Sequence, residues 1–322
     1  MTTFAYVFPG QGSQSVGMGQ ALAASSLAAR RVFERADDAL GEAISRLAWE
    51  GPDEDLNRTE NAQPALLAAS IAYLEALRER WAAGVVVGPS PAFVAGHSMG
   101  QYSAMVATGV ISLEDGVCLV RERGRAMQTS GAGREGRMAA IIGLDDERLP
   151  ELVAAGSAVG TFGVANRNSP GQVVVSGERA AVERAVETAV ALGARRAIVL
   201  PVSVAAHSPL MSEAADAMRG LLAGVPFADP TTTLLANADG RPITTGEQAR
   251  AELVEHLTTG VDWVAAVERM VGAGVGTFLE IGPGRVLTGL IKRIAPDATA
   301  VATDDPSAPD RLADPLATPA PA

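Results

Sequence analysis

The residues Gly96-His97-Ser98-Met99-Gly100 set a serine at the centre of a G-x-S-x-G pattern. A short apolar segment, Phe93-Val94-Ala95, runs into it, and a helical pattern over 101–108 follows. A serine on a sharp strand-to-helix turn is strained and exposed, with the amides of the helix N-terminus aimed at any oxyanion formed beside it. Only residues without bulky side chains fit at positions 96 and 100. The plain alternative is a glycine-rich turn with a capping serine, and the strand-helix context favours the nucleophile elbow.

A serine hydroxyl is hardly ionised at neutral pH and needs a base. Three histidines are available, His97, His207 and His256. His97 adjoins Ser98, so its side chain leaves the turn in another direction and a structural role is expected. His256 lies in a helical pattern over 252–257 with polar neighbours, where a surface or packing histidine is the default. His207 follows a segment read as a strand over 197–204, in the loop Ala205-Ala206-His207-Ser208-Pro209. Functional residues of open α/β sheets gather at the carboxyl ends of strands, which makes His207 the expected base. Arg123 stands four after Leu119, three after Val120 and four before Met127, on the apolar face of a helix read over 113–128. A charge on that face needs an anionic partner, either an internal carboxylate or a substrate carboxylate gripped by the planar guanidinium. The spacing leaves both open.

The elements that must position these residues alternate along the chain. Residues 4–8 read as a buried strand that stops at Pro9-Gly10, and the loop from Pro9 to Gln14 is rich in glycine and amide. Helical stretches are expected over 18–48 and 63–81. Residues 129–199 change character: strands over 138–143, 161–165, 172–176 and 196–200 and helices over 146–155 and 178–192 give the order β-α-β-β-α-β, the ferredoxin-like arrangement. The expectation is an α/β protein, with a large parallel-sheet unit made of 1–128 and 200–300 and an inserted small subdomain at 129–199. From residue 303 the tail holds five prolines among alanines and aspartates, and disorder is expected there.

Composition narrows the function classes. The chain has 322 residues, 48% hydrophobic and 20% charged, as globular proteins do. A net charge of −11, with Lys292 the single lysine, argues against nucleic-acid binding, which needs positive surface. Cys118 is the single cysteine, so an internal disulfide and a cysteine-based zinc site are excluded, and three histidines leave little for a histidine-rich one. No apolar run reaches the length of a membrane span, and the first ten residues lack a signal-peptide pattern. A soluble, cytoplasmic, acidic protein is expected.

Five segments occur in one order: Phe8-Pro9-Gly10-Gln11-Gly12-Ser13-Gln14, Gly96-His97-Ser98-Met99-Gly100, Arg121-Glu122-Arg123-Gly124, Asn166-Arg167-Asn168-Ser169-Pro170-Gly171-Gln172 and Glu280-Ile281-Gly282-Pro283-Gly284. In these the chain resembles the malonyl-CoA:acyl carrier protein transacylases, with the stand-alone, trans-acting acyltransferases of polyketide synthases, from about residue 3 to 296. The resemblance implies an α/β fold, a hydrolase-like parallel-sheet core with an inserted ferredoxin-like (βαββαβ) small subdomain. It implies a ping-pong reaction for fatty acid or polyketide synthesis. Ser98 attacks the thioester of malonyl-CoA with His207 as general base, and the backbone amides of Gln11 and Met99 hold the oxyanion. Arg123 pairs with the free carboxylate of the acyl group, and the phosphopantetheine thiol of an acyl carrier protein then attacks the acyl-serine. A backbone carbonyl near position 256 orients the base. His97, Gln101, Asn166, Ala206 and His256 count as supporting residues. The resemblance implies no metal or redox cofactor, and coenzyme A enters as the substrate's thioester.

Two positions depart from the family's pattern: Gln101 stands where many members have Glu, and His256 where many have Gln. Ala206, small and directly before His207, and Met99 in the elbow resemble acyltransferases for branched extenders, although stand-alone malonyl transacylases also carry a small residue there. Transfer of methylmalonyl or ethylmalonyl is therefore the alternative to malonyl. An acyl hydrolase is more distant, disfavoured by Arg123 and the N-terminal loop. A non-catalytic docking subunit is opposed by intact Ser98, His207, Gln11 and Arg123. Carrier docking helices are usually acidic, so against a net charge of −11 attraction must come from a local patch, with Arg285, Lys292 and Arg293 as contributors.

Overall fold

The computed structural model describes residues 3–84, 90–130, 136–202 and 204–304. Its strands, in chain order, are β1 (Thr3–Phe8), β2 (Pro91–Gly96), β3 (Gly136–Ile142), β4 (Phe162–Ser169), β5 (Gln172–Glu178), β6 (Arg196–Val199), β7 (Thr233–Leu235), β8 (Pro242–Ile243), β9 (Val261–Asp262), β10 (Val275–Glu280) and β11 (Thr299–Ala302). They form two sheets, ordered β11-β10-β1-β2-β7-β8 and β6-β3-β5-β4-β9.

In the larger sheet β11, β10, β1, β2 and β7 are parallel and β8 closes one edge antiparallel. A parallel sheet must be covered on both faces, and the alternation along β1 shows how. Phe4, Tyr6 and Phe8 enter one apolar cluster with Leu66, Leu67 and Tyr102, while Ala5 and Val7 enter a second with Trp263, Val267 and Ile291. The helix Thr59–Ala82 is buried at almost every position from Ala62 to Leu77. A helix apolar all round belongs inside, and this one lies in the first cluster beside the helix Leu113–Ser130.

The smaller sheet follows the order expected from the sequence, strand, helix, two strands, helix, strand, with helices Leu149–Ser157 and Arg179–Ala191. β3, β5, β4 and β6 pair antiparallel, and β9 joins the outer edge of β4 in parallel, Asn166 opposite Val261. The last strand of this sheet thus comes from beyond residue 200, where it covers an edge that would otherwise stand unpaired. One face packs Ile141 and Val175 against Leu152 and Val182 of the two helices. The other carries Met138, Ala165 and Val174 against Leu200 and Ala206, and turns toward Ser98.

Three expectations change. The stretch 18–48 is three helices, Gln20–Ser25, Leu27–Leu40 and Ile44–Glu50, because Ser26 caps the second and Gly41, in a left-handed conformation, ends it. The strand before His207 ends at Val199, not 204. Of the tail, Thr303 is tied down, its amide donating to Glu280 O and its hydroxyl accepting from the Gly282 amide; residues 305–322 lie outside the described residues.

Candidate active site

The elbow is built as its glycines predict. β2 ends at Gly96, paired with Phe8, and the helix Gly100–Ala107 begins four residues later. A Cβ on Gly96 would stand 2.0 Å from the carbonyl carbon of Gly100, and one on Gly100 would stand 2.3 Å from Phe8 O, so neither position admits a side chain. Ser98 between them has φ 54°. Gln101 in the first helical turn accepts from the Gly96 amide (3.2 Å) and donates to Leu235 O (3.0 Å), tying the end of β2 to β7. An amide can do both at once, whereas an ionised carboxylate only accepts.

Ser98 Oγ lies 2.8 Å from His207 Nε2. On the other side of the ring, Nδ1 is 2.6 Å from the carbonyl oxygen of His256. A carbonyl only accepts, so Nδ1 carries the proton and Nε2 offers its lone pair to the serine hydroxyl. Burial, and next the Arg123 charge, hold the His207 pKa down at about 3, so the ring is neutral at neutral pH. His207 also has a left-handed backbone, φ 58°. It does not sit at the carboxyl end of a parallel strand: it follows β6, an edge strand of the small antiparallel sheet, through the loop that begins at Leu200. His207 is thus the histidine brought to Ser98, although not from the parallel-strand end expected for it.

Arg123 is 1% exposed. Its Nη1 donates to Gln63 Oε1 (2.7 Å), and its Nη2 reaches Ser98 Oγ (3.3 Å) and His256 Nε2 (3.4 Å). Every one of these partners is neutral, and among the described residues no carboxylate pairs with it, which removes the internal ion pair left open above. Its Nε is buried with no hydrogen-bond partner. The neighbouring Arg121 pairs with the Glu42 carboxylate and donates to Glu60 O, although its Nε too is buried without a hydrogen-bond partner. Of the surface and packing positions left open for His256 the structure gives the buried one: it is fully buried, its Nδ1 2.9 Å from Glu252 O, and burial with the Arg123 charge pushes its pKa well below the ordinary value.

His97 stays structural in geometry. Its Nε2 donates to Asn168 Oδ1 (2.9 Å), and its ring meets Trp263 edge-on, which fixes the β4 strand to the elbow. Asn166, on β4, lines the cleft. Gln11, whose side-chain amide reaches Thr59 Oγ1 (3.3 Å), lines it too, and Met99 is buried at the helix start. Among the described residues the backbone amides of Gln11 and Met99 donate to no acceptor.

Three residues that the sequence reading passed over complete the site. Asn237 Oδ1 accepts from the Ser98 amide (2.8 Å), and the Asn237 amide donates to Glu252 Oε1 (2.6 Å). Glu252 is fully buried, and burial raises its pKa to about 7. Gln63 holds Arg123. Two had a signal: Asn237 closes the apolar run Leu234-Leu235-Ala236 at a strand's carboxyl end, and Gln63 is an amide at the start of the Ala/Leu-rich stretch 63–81.

A cleft of about 640 Å³ opens over Ser98, lined by Gln11, Arg123, Met138, Leu200, Ala206 and His207 among others. Its chemistry is that of an activated serine beside a fixed cation. Among the described residues no group of three or more His, Cys, Asp or Glu is placed to hold a metal ion.

The acyl transferase domain family matches residues 5–305. The malonyl CoA-acyl carrier protein transacylase of Escherichia coli K12 is 45% identical over 308 residues, 96% of this chain and 98% of that protein. The solved acyl-carrier-protein S-malonyltransferase of Bartonella henselae superposes with a TM-score of 0.93 at 43% identity, covering 98% of this chain and all of that one. A malonyl-transacylase solved in complex with its type II polyketide synthase acyl-carrier protein gives 0.90 at 42% identity, with the same coverage. The elbow, the paired histidine and the caged arginine thus sit in a chain that belongs to the acyl transferase domain family.

Proposed function

We propose that this acyltransferase moves a malonyl group from malonyl-CoA to the phosphopantetheine thiol of an acyl carrier protein through an ester on Ser98. His207 Nε2 takes the hydroxyl proton as Oγ attacks the thioester carbon. The tetrahedral intermediate collapses, the carbon–sulfur bond breaks, and the coenzyme A sulfur leaves with that proton. The carrier thiol then gives its proton to His207 and attacks the acyl-serine, and Ser98 recovers the proton as it departs. The free amides of Gln11 and Met99 serve the oxyanion in both halves. Asn237, on the Ser98 amide, holds the nucleophile in its strained conformation.

One observation carries the choice of acyl group. The buried Arg123 has neutral partners only, an unpartnered Nε–H and an Nη2 at 3.3 Å from the nucleophile. A carboxylate is the acceptor that satisfies such a group. In a malonyl thioester a single methylene separates the carboxylate from the carbonyl under attack, which fits a cation placed this close to Oγ. In the Arg123→Ala variant, kcat/KM for acylation by malonyl-CoA is expected to fall about 100-fold or more, in keeping with loss of a buried charge pair. Acylation by acetyl-CoA should fall less than about tenfold. Equal losses would make Arg123 a structural residue and remove the reading.

Ala206 lines the cleft and leaves room beside the acyl chain, so methylmalonyl or ethylmalonyl is the second reading. Acylation rates with those thioesters test it directly. For the carrier, the exposed basic residues Arg285, Lys292 and Arg293 are the proposed contact. They belong to the segment around the helix Val286–Ile294, which packs on β4. Gly284, just before it, approaches Ser13 in the loop whose Gln11, Gly12 and Gln14 line the cleft. The proposed domain division is 1–128 with 200–300 as the catalytic unit and 129–199 as the small one, and the proposed location is the cytoplasm. Among the described residues no helix is long and apolar enough to cross a membrane. No resident metal or redox cofactor takes part in the proposed steps.

A further inference from the structure

We propose that the His256 side chain is the positioning residue that aims the Arg123 guanidinium at the acyl carboxylate, and so sets the preference for acyl groups that carry one. The inference rests on the carboxylate role of Arg123 argued above. Both ring nitrogens of His256 are engaged. Nδ1 is 2.9 Å from Glu252 O, which only accepts, so Nδ1 carries the proton. Nε2 is 3.4 Å from Arg123 Nη2, which only donates, so Nε2 presents its lone pair. The two contacts fix the tautomer and the plane of the ring. Burial and the Arg123 and His207 neighbours keep it neutral.

A neutral acceptor suits this task better than a carboxylate. An ionised partner inside the protein would neutralise Arg123 and compete with the ligand for it. Gln63 on Nη1, with Ser98 and His256 on Nη2, instead hold the cation and leave its charge uncompensated. Residue 256 also serves the base, since its backbone carbonyl accepts from His207 Nδ1 at 2.6 Å. The two roles use different atoms: the carbonyl orients the base and the ring orients the clamp. Substitution at 256 keeps the carbonyl and removes only the ring, so the two can be separated.

The test compares His256→Leu, which has no acceptor, with His256→Gln, which keeps one. Acylation kinetics are measured with malonyl-CoA and acetyl-CoA for both variants, the wild type and Arg123→Ala. With Leu, the malonyl kcat/KM is expected to fall about tenfold, mostly through KM, as for loss of one hydrogen bond to a charged group. The acetyl value should fall less than about threefold. Gln should restore the malonyl value to within about threefold of wild type. Should the Leu variant fail to fold, His256→Met enters the same comparison with only a weak sulfur acceptor. Equal losses for both thioesters, or an unchanged malonyl-to-acetyl ratio, would overturn the positioning role while leaving the Arg123 clamp in place. If the wild type shows no preference for malonyl, or Arg123→Ala does not change it, the clamp itself fails and this inference fails with it.

Discussion

Ser98 and His207 are the two non-glycine residues with positive φ among those described, at 54° and 58°. Such backbone costs on the order of 1–3 kcal/mol per residue and persists only where its surroundings over-determine it. Asn237 on the Ser98 amide and the His256 carbonyl on His207 Nδ1 are those surroundings. The same burial that orients His207 sets its titration. Its folded pKa, about 3, lies below the ordinary 6.5, so the proton-accepting form persists as pH falls past 6.5 and is lost only far below it. The kcat/KM for Ser98 acylation should therefore stay level from about pH 8 to pH 5, since kcat/KM reports the free enzyme's base. A half-loss of rate near pH 6.5 would mean that His207 is solvated in solution and that the buried geometry does not describe the working enzyme.

At the scale of elements, the tight turn that carries Ser98 was the most legible part. Glycines at 96 and 100 flanking a serine after an apolar run leave the chain few other conformations, and the contacts at 2.0 and 2.3 Å show why. Arg123 was legible too, because an arginine in register with Leu119, Val120 and Met127 must go inside, and it does. What the sequence could not show was what meets it there. The helix Thr59–Ala82 supplies Gln63, and the helix Gly246–Thr259 supplies the ring of His256, from positions about 60 and 133 residues away in the chain. Polar neighbours in sequence left His256 between a surface and a packing position, and that face of its helix packs against the site. Partners of this kind follow from tertiary packing, and local pattern does not show which residues will meet. The small sheet shows the opposite case: its six elements follow from alternation and turn residues, and only β9, two residues paired across a long separation, escaped.

For the whole molecule, charge and catalysis are divided between regions. The chain carries −11 overall, yet Lys292 and Arg293 lie exposed near the end of the helix Val286–Ile294, with Arg293 reaching Gln172 Oε1 at the β4–β5 turn. Attraction of an acidic carrier has to be local, within about 10 Å of such groups at ordinary salt. Reversing both charges, Lys292→Glu with Arg293→Glu, should raise the KM for carrier protein several-fold and leave acylation by malonyl-CoA alone; an unchanged KM would move the docking site elsewhere. The cleft lies between the small sheet's inner face and the turn that carries Ser98, and in the proposed reaction both half-reactions pass through that one serine. Intact-protein mass spectrometry after brief mixing with malonyl-CoA, followed by addition of holo carrier protein, tests that most directly. A malonyl mass on Ser98 that disappears as the same mass appears on the carrier is the result expected, with Ser98→Ala carrying none. An adduct that decays to free malonate with the carrier unmodified, or one that survives in Ser98→Ala, would contradict transfer through this site.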